Sequence, residues 1–215
     1  ILYVTDRHPK MNSWIGSCWH MSWGIRDVLI YGNAKRRSLG TTLSYLGIVH
    51  NIELVFDPSD HDINESEFQK QDWTSTEFGH MIGKQQLPPN MPEPRGLGFT
   101  ITAKVDADHA GDTVTRRSRT GFLVYWNSAL VYWFSKKQTS IESSSFGSEF
   151  TAMKQCCEYI RGLVYKLRMM GSPSDNPAYI YADNQSVLTN TTIPDSTLKK
   201  KSQSIAYHII REGVA

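Results

Sequence analysis

The run Phe99-Thr-Ile-Thr-Ala-Lys-Val-Asp-Ala-Asp-His-Ala-Gly-Asp112 constrains this chain more than any other stretch. Phe99, Ile101, Ala103 and Val105 alternate with polar positions, which predicts a strand with one buried face. Where the apolar pattern stops, the run delivers Asp106 and Asp108, and Gly111 opens a turn. Carboxylates launched from a rigid strand suit a hard divalent cation, which takes oxygen ligands. A sheet must form around this strand, and something must answer the charge at its end.

The rest of the composition permits such a sheet. Of 215 residues, 40% are hydrophobic and 20% charged, ordinary values for a globular protein with a core. No run of 18 apolar residues predicts a membrane span, and the N-terminus lacks a signal-peptide pattern. Cys18, Cys156 and Cys157 fit no metal-ligand spacing and suit a reducing compartment, so an intracellular location, cytoplasmic or nuclear, is expected. Residues 1–96 hold 9 Lys+Arg against 11 Asp+Glu, whereas residues 97–215 hold 14 against 10. The basic excess therefore travels with the carboxylate strand, in Arg116, Arg117, Arg119, Lys136, Lys137 and Lys199-Lys200-Lys201. It suits a polyanionic ligand and equally a solvated surface.

Three segments follow from the pattern. Residues 1–56 lean helical, with Trp14, Cys18, Met21 and Ile25 on one face, and 42–56 run from a short helix into an apolar end. Residues 57–95 are polar and acidic, then proline-rich, and read as a linker or surface loop. Residues 96–215 form the main domain. There, strands at 120–126 and 129–134 flank a turn at Asn127, giving an antiparallel meander with the first strand. Ser143 or Ser144 can cap a long helix bearing Phe146, Phe150, Met153, Cys157, Ile160, Val164, Leu167 and Met170, stopped by Gly171 and Pro173. A short buried strand at 178–182 ends at Asp183, and helices are expected over 185–190 and 196–212. The order β-β-β-α-β-α-α predicts an α/β (α+β mixed) sheet whose fourth strand pairs with the first.

Three acids stand out within that plan. Asp106 and Asp183 end strands, and Glu149 lies three residues after Phe146 and four before Met153, on the apolar face of the long helix. A carboxylate on such a face requires a cation, a partner or a proton. Singly, each has a plainer reading: turn residues for Asp106 and Asp108, a dipole-favoured acid for Glu149, a helix N-cap for Asp183. Jointly, they predict a site for divalent cations that clamp a phosphodiester. An EF-hand is excluded, because Ala110 and Arg117 stand where ligands are needed. An Asp-x-Asp phosphatase stays open as an alternative.

Five ordered blocks then carry a resemblance. They are Lys104-Val-Asp-Ala-Asp-His-Ala-Gly-Asp112, Arg116-Arg-Ser-Arg-Thr-Gly-Phe122, Trp133-Phe-Ser-Lys-Lys-Gln138, Ser143-Ser-Ser-Phe-Gly-Ser-Glu-Phe-Thr-Ala-Met153 and Tyr181-Ala-Asp-Asn-Gln-Ser186. Together they resemble the ribonuclease H domain of copia-type retrotransposon Pol polyproteins, and 42–56 resembles the connection that follows reverse transcriptase. The resemblance implies a ribonuclease H-like fold over 96–215, with a connection remnant at 1–56. It also implies two Mg²⁺ ions, for which Mn²⁺ can substitute, held by Asp106, Glu149 and Asp183. The expected reaction is hydrolysis of the RNA strand of an RNA–DNA hybrid, with Arg116, Arg117, Lys136 and Lys137 meeting phosphates and other Pol segments as partners. A non-catalytic nucleic-acid-binding remnant is the alternative. The family's fifth strand and a later Ala-Asp helix have no counterpart before Ala215, so truncation and an open sheet edge are expected.

Overall fold

The computed structural model of the chain describes residues 2–5, 63, 68, 70–79, 89–96, 98–127, 129–172 and 177–215. The helical readings at 14–25 and 42–56 lie outside the described residues. Among the described residues five strands form one sheet: β1 (Leu2–Thr5), β2 (Ile101–Asp108), β3 (Arg119–Trp126), β4 (Ala129–Lys137) and β5 (Ala178–Tyr181). Their spatial order is β1-β5-β2-β3-β4. The meander β2-β3-β4 is antiparallel, and β5 runs parallel to both β2 and β1. This mixed sheet is compatible with the ribonuclease H-like expectation, and the predicted fourth-to-first strand pairing is the β5–β2 ladder.

Helix α1 (Ser145–Met169) packs on the sheet through Phe150, Met153, Cys156, Cys157 and Ile160, all fully buried. Each large apolar side chain there contributes roughly 1.5–3 kcal/mol by leaving water. Opposite them lie Ala103, Val105 and Ala107 of β2, alternating as the sequence pattern requires. Ser144 is the N-cap, accepting from the Gly147 N–H. The C-terminus closes as a Schellman motif: Gly171 N–H donates to Arg168 O and Ser172 N–H to Leu167 O, with Gly171 at φ +73°. Met170, expected on the apolar face, is instead the exposed C-cap, because the helix ends before it.

Helices α2 (Gln185–Thr192) and α3 (Ser204–Val214) follow, with a 3-10 turn at Lys201–Gln203. Two boundaries move relative to the sequence pattern. Helix α2 continues past Asn190, and Thr191, fully buried, bonds back to Val187 O and Leu188 O. The last helix begins at Ser204, not 196, because the carbonyls of Asn190, Ile193 and Pro194 and the Ser196 hydroxyl are gathered by the Arg211 guanidinium. That loop takes its hydrogen bonds from a side chain rather than from a helical turn.

The division into remnant, linker and domain does not describe how the core is built. Leu2 is buried, and β1 covers the β5 edge that was expected to stand open. Phe68, Trp73 and Phe78, assigned to the linker, are buried as well. Phe68 meets Tyr179 and Tyr181 edge-on, with ring centroids 4.8 and 5.2 Å away. Trp73 and Phe78 join the main core beside α3. Even the proline-rich stretch ends in a contact, Arg95 N–H to Gly171 O. Buried aromatics spaced without a period give no strand or helix signal, which is why the segment reads as a loop.

Candidate metal and nucleic-acid site

The site is built near the end of β2, just past β5 and at the start of α1. In the parallel β2–β5 ladder Lys104 lies opposite Tyr181, and two residues further along each chain stand Asp106 and Asp183. Helix α1 crosses the sheet with Glu149 in its second turn. One carboxylate oxygen from each of Asp106, Glu149 and Asp183 lies within 4.8 Å of the others. Asp106 and Glu149 are partly buried and Asp183 is exposed, so the cluster opens to solvent on the Asp183 side. Asp183 is not a helix cap: Asn184 takes that role, accepting from the Ser186 and Val187 N–H groups. Its carboxylate is thereby left to the cluster.

The electrostatics are those of like charges held together. At an effective dielectric near 20, two full charges 4.8 Å apart repel by about 3 kcal/mol before further screening. Burial, then the Asp106 and Asp183 charges, push the Glu149 carboxyl up to about 9, partly offset by the Ala107 N–H. The same N–H donates to Asp106 Oδ1 at 2.7 Å, which fixes that side chain on the strand. An all-oxygen donor set, rigidly mounted and crowded with negative charge, fits hard divalent cations such as Mg²⁺ or Mn²⁺.

Asp108 is not in the cluster. It closes β2 rather than lying beyond it, is exposed, and turns over Gly111, where a Cβ would collide with its carboxylate. The four basic candidates occupy the same end of the sheet, since Asp108, Arg119 and Lys137 are in register across β2, β3 and β4. Arg116 and Arg117 are exposed on the β2–β3 loop and Lys136 on β4. Lys137 is ion-paired with Asp112. Asp112 also accepts from the Val114 and Thr115 N–H groups, pinning the loop, and these contacts, the Lys137 one foremost, hold its carboxyl well below the usual range.

Sequence reasoning missed the residues behind the acids. Gln138, 1% exposed, donates its amide to Thr120 Oγ1 and to the Ser148 carbonyl. Ser148 donates to Ser145 O and lies 3.3 Å from His109 Nδ1. Glu142 and Lys200 form an ion pair over Gly147, whose missing side chain makes the room. A polar residue just past a strand carries no periodic signal, so nothing in the pattern marks Gln138 as buried.

No protein-family model matches the chain. It is similar to the retrovirus-related Pol polyprotein from transposon RE2 of Arabidopsis thaliana, 29% identical over 120 residues, 56% of this chain and 8% of that polyprotein. The retrovirus-related Pol polyprotein from transposon TNT 1-94 of Nicotiana tabacum is 29% identical over 109 residues, 51% of this chain and again 8% of the polyprotein. Secreted RxLR effector protein 161 of Plasmopara viticola is 39% identical over 79 residues, 34% of this chain and 56% of that protein. The similarity to transposon polyproteins supports a Pol polyprotein fragment, and the match spans under a tenth of their length. No helix among the described residues is long and apolar enough to cross a membrane.

Proposed function

We propose that the chain is a ribonuclease H-like domain of a retrotransposon Pol polyprotein that hydrolyses the RNA strand of RNA–DNA hybrids. The observation that carries this reading is the meeting of Asp106 of β2, Glu149 of α1 and Asp183 just past β5, one carboxylate oxygen of each within 4.8 Å of the others. These three residues would hold Mg²⁺ or Mn²⁺, which when bound activates a water and offsets charge developing on the phosphodiester. The chain's own part is placement. Asp106 is anchored by the Ala107 N–H, Glu149 closes the buried side, and exposed Asp183 borders the approach to solvent. Arg116, Arg117 and Lys136 would meet phosphates along that end of the sheet, and the 2′-hydroxyls would mark the RNA strand.

The phosphatase alternative loses support because Asp108, its second acid, turns away from the cluster while a helix glutamate joins it. The two buried thiols, unpaired to each other, accord with an intracellular site, cytoplasmic or nuclear. Other Pol segments would be partners in the longer protein.

The test is a labelled RNA–DNA hybrid incubated with the full chain in Mg²⁺ or Mn²⁺, beside Asp106→Asn. Metal-dependent cleavage of the RNA strand, lost in the variant, is expected. Binding without cleavage would assign the chain to the non-catalytic alternative, and neither would end the nucleic-acid reading.

A further inference from the structure

We infer that Gln138 is a positioning residue for the carboxylate site, holding the first turns of α1, and so Glu149, against the end of β2. The inference rests on the functional reading above for what the site does, but its structural basis is separate. Gln138 directly follows β4, and its backbone N–H donates to Ser118 O at 2.8 Å, tying it to the approach of β3. Its side-chain amide then reaches across to two buried acceptors, Thr120 Oγ1 at 3.1 Å on β3 and Ser148 O at 2.9 Å on α1. The Ser148 carbonyl can only accept, which fixes which end of the amide faces it. One buried carboxamide therefore joins the sheet to the residue immediately before Glu149.

Ser148 is a junction in its own right. Its hydroxyl donates to Ser145 O and lies beside His109 Nδ1, on the loop that leaves β2 three residues after Asp106. The loop leaving β2 thus meets Ser148, the residue before Glu149, and Gln138 holds Ser148 to the sheet. Burying Glu149 beside two other acids is unfavourable until a proton or a cation answers it, and a helix end free to yield would let Glu149 retreat. A buried, fully enclosed amide resists that because removing it leaves the Ser148 carbonyl without its sheet partner. Supporting shells of this kind commonly change metal affinity by about 10–100-fold when lost.

The experiment is calorimetric titration of the full chain with Mg²⁺, without nucleic acid, for wild type, Gln138→Met and Thr120→Val. Gln138→Met keeps the volume and loses both amide bonds, whereas Thr120→Val loses one and keeps the Gln138–Ser148 link. Mg²⁺ affinity about tenfold weaker in Gln138→Met and within about twofold of wild type in Thr120→Val is expected, with faster amide exchange at 147–149 in the first variant alone. Should Gln138→Met not fold, Gln138→Asn is titrated in its place, and its shorter arm should weaken affinity at least about threefold. Wild-type affinity in the Gln138 variants, or equal losses in Thr120→Val, would overturn the positioning role. A wild-type chain that takes no Mg²⁺ and cuts no hybrid would overturn the functional reading and this inference with it.

Discussion

Two regions of this molecule gather charge away from water, and they do so in opposite ways. Around Arg211, a single guanidinium, 3% exposed, is met by neutral acceptors and by the opposite charges of Glu77 and Asp195. It donates to three carbonyls and a hydroxyl of residues 190–196 and lies over the rings of Trp73 and Tyr207, each 4.6 Å from centroid. Burial lowers its pKa, but a guanidinium stays charged. At the carboxylate site, by contrast, three acids are brought together and the charges bearing on Glu149 are of its own sign. The first region is a fastening: every contact helps to hold the 190–196 loop and α3 in place. The second works against the fold until a proton or a cation answers it, and that is what distinguishes a site from a brace.

The largest effect should separate the two outright. Asp106→Asn should lower hybrid cleavage by about 10³-fold, several kcal/mol of lost transition-state stabilisation, while the metal-free unfolding midpoint stays level or rises. Arg211→Met should do the reverse. Unsatisfied loop carbonyls and a lost charged donor should cost about 3 kcal/mol of stability, with cleavage per folded molecule unchanged. Denaturant unfolding and single-turnover cleavage on both variants check this. If Arg211→Met abolished cleavage at full stability, or Asp106→Asn unfolded the chain, the division into brace and site would be mistaken.

A smaller effect tests the strain itself. The Glu149 carboxyl sits at about 9 in the folded chain against an ordinary 4.5, so the folded form keeps a proton that the unfolded form releases. Stability attributable to this residue is therefore lost progressively as pH rises from about 4.5 towards 9. In EDTA at pH 8, Glu149→Gln should be more stable than wild type by several kcal/mol, and at pH 4.5 the two should nearly coincide. Added Mg²⁺ should then raise the midpoint of wild type and not of the variant. A wild type at least as stable as Glu149→Gln in EDTA at pH 8 would mean that the cluster is satisfied by the protein alone.

How far each region could be read from sequence follows from what holds it. The acids were legible because each sits at a break in a pattern: Asp106 where the apolar run of β2 stops, two residues before the strand does, Asp183 just past β5, Glu149 as a charge within an apolar helical face. Helix α1 was legible from its serine cap and Gly171. The Arg211 brace was not, since its partners are backbone carbonyls, which any sequence supplies, and aromatics from a segment without periodicity. Strand β1 escaped for a related reason. Four residues hold no register signal of their own, and their partner β5 lies at the other end of the chain. Gln138 shows the same limit inside the site, as a polar residue whose burial depends on what lands on it.

The smallest expected effect concerns the basic residues, where the comparison repeats on a finer scale. Lys136 and Lys137 are adjacent, exposed and identical in type, but among the described residues only Lys137 is ion-paired, with Asp112 on the loop that Asp112 also pins through Val114 and Thr115. Removing either lysine changes the net charge equally, so long-range attraction of a polyanion should weaken about equally. What differs is the number of phosphates neutralised by contact. Lys136→Gln should weaken hybrid binding about threefold and reduce the slope of log affinity against log salt by about 1. Lys137→Gln should leave that slope nearly unchanged, because its ammonium is already committed within the protein. Binding measured across salt concentrations decides between them. Equal losses of slope would show that the hybrid competes Lys137 away from Asp112, and that this ion pair belongs to the site rather than to the loop.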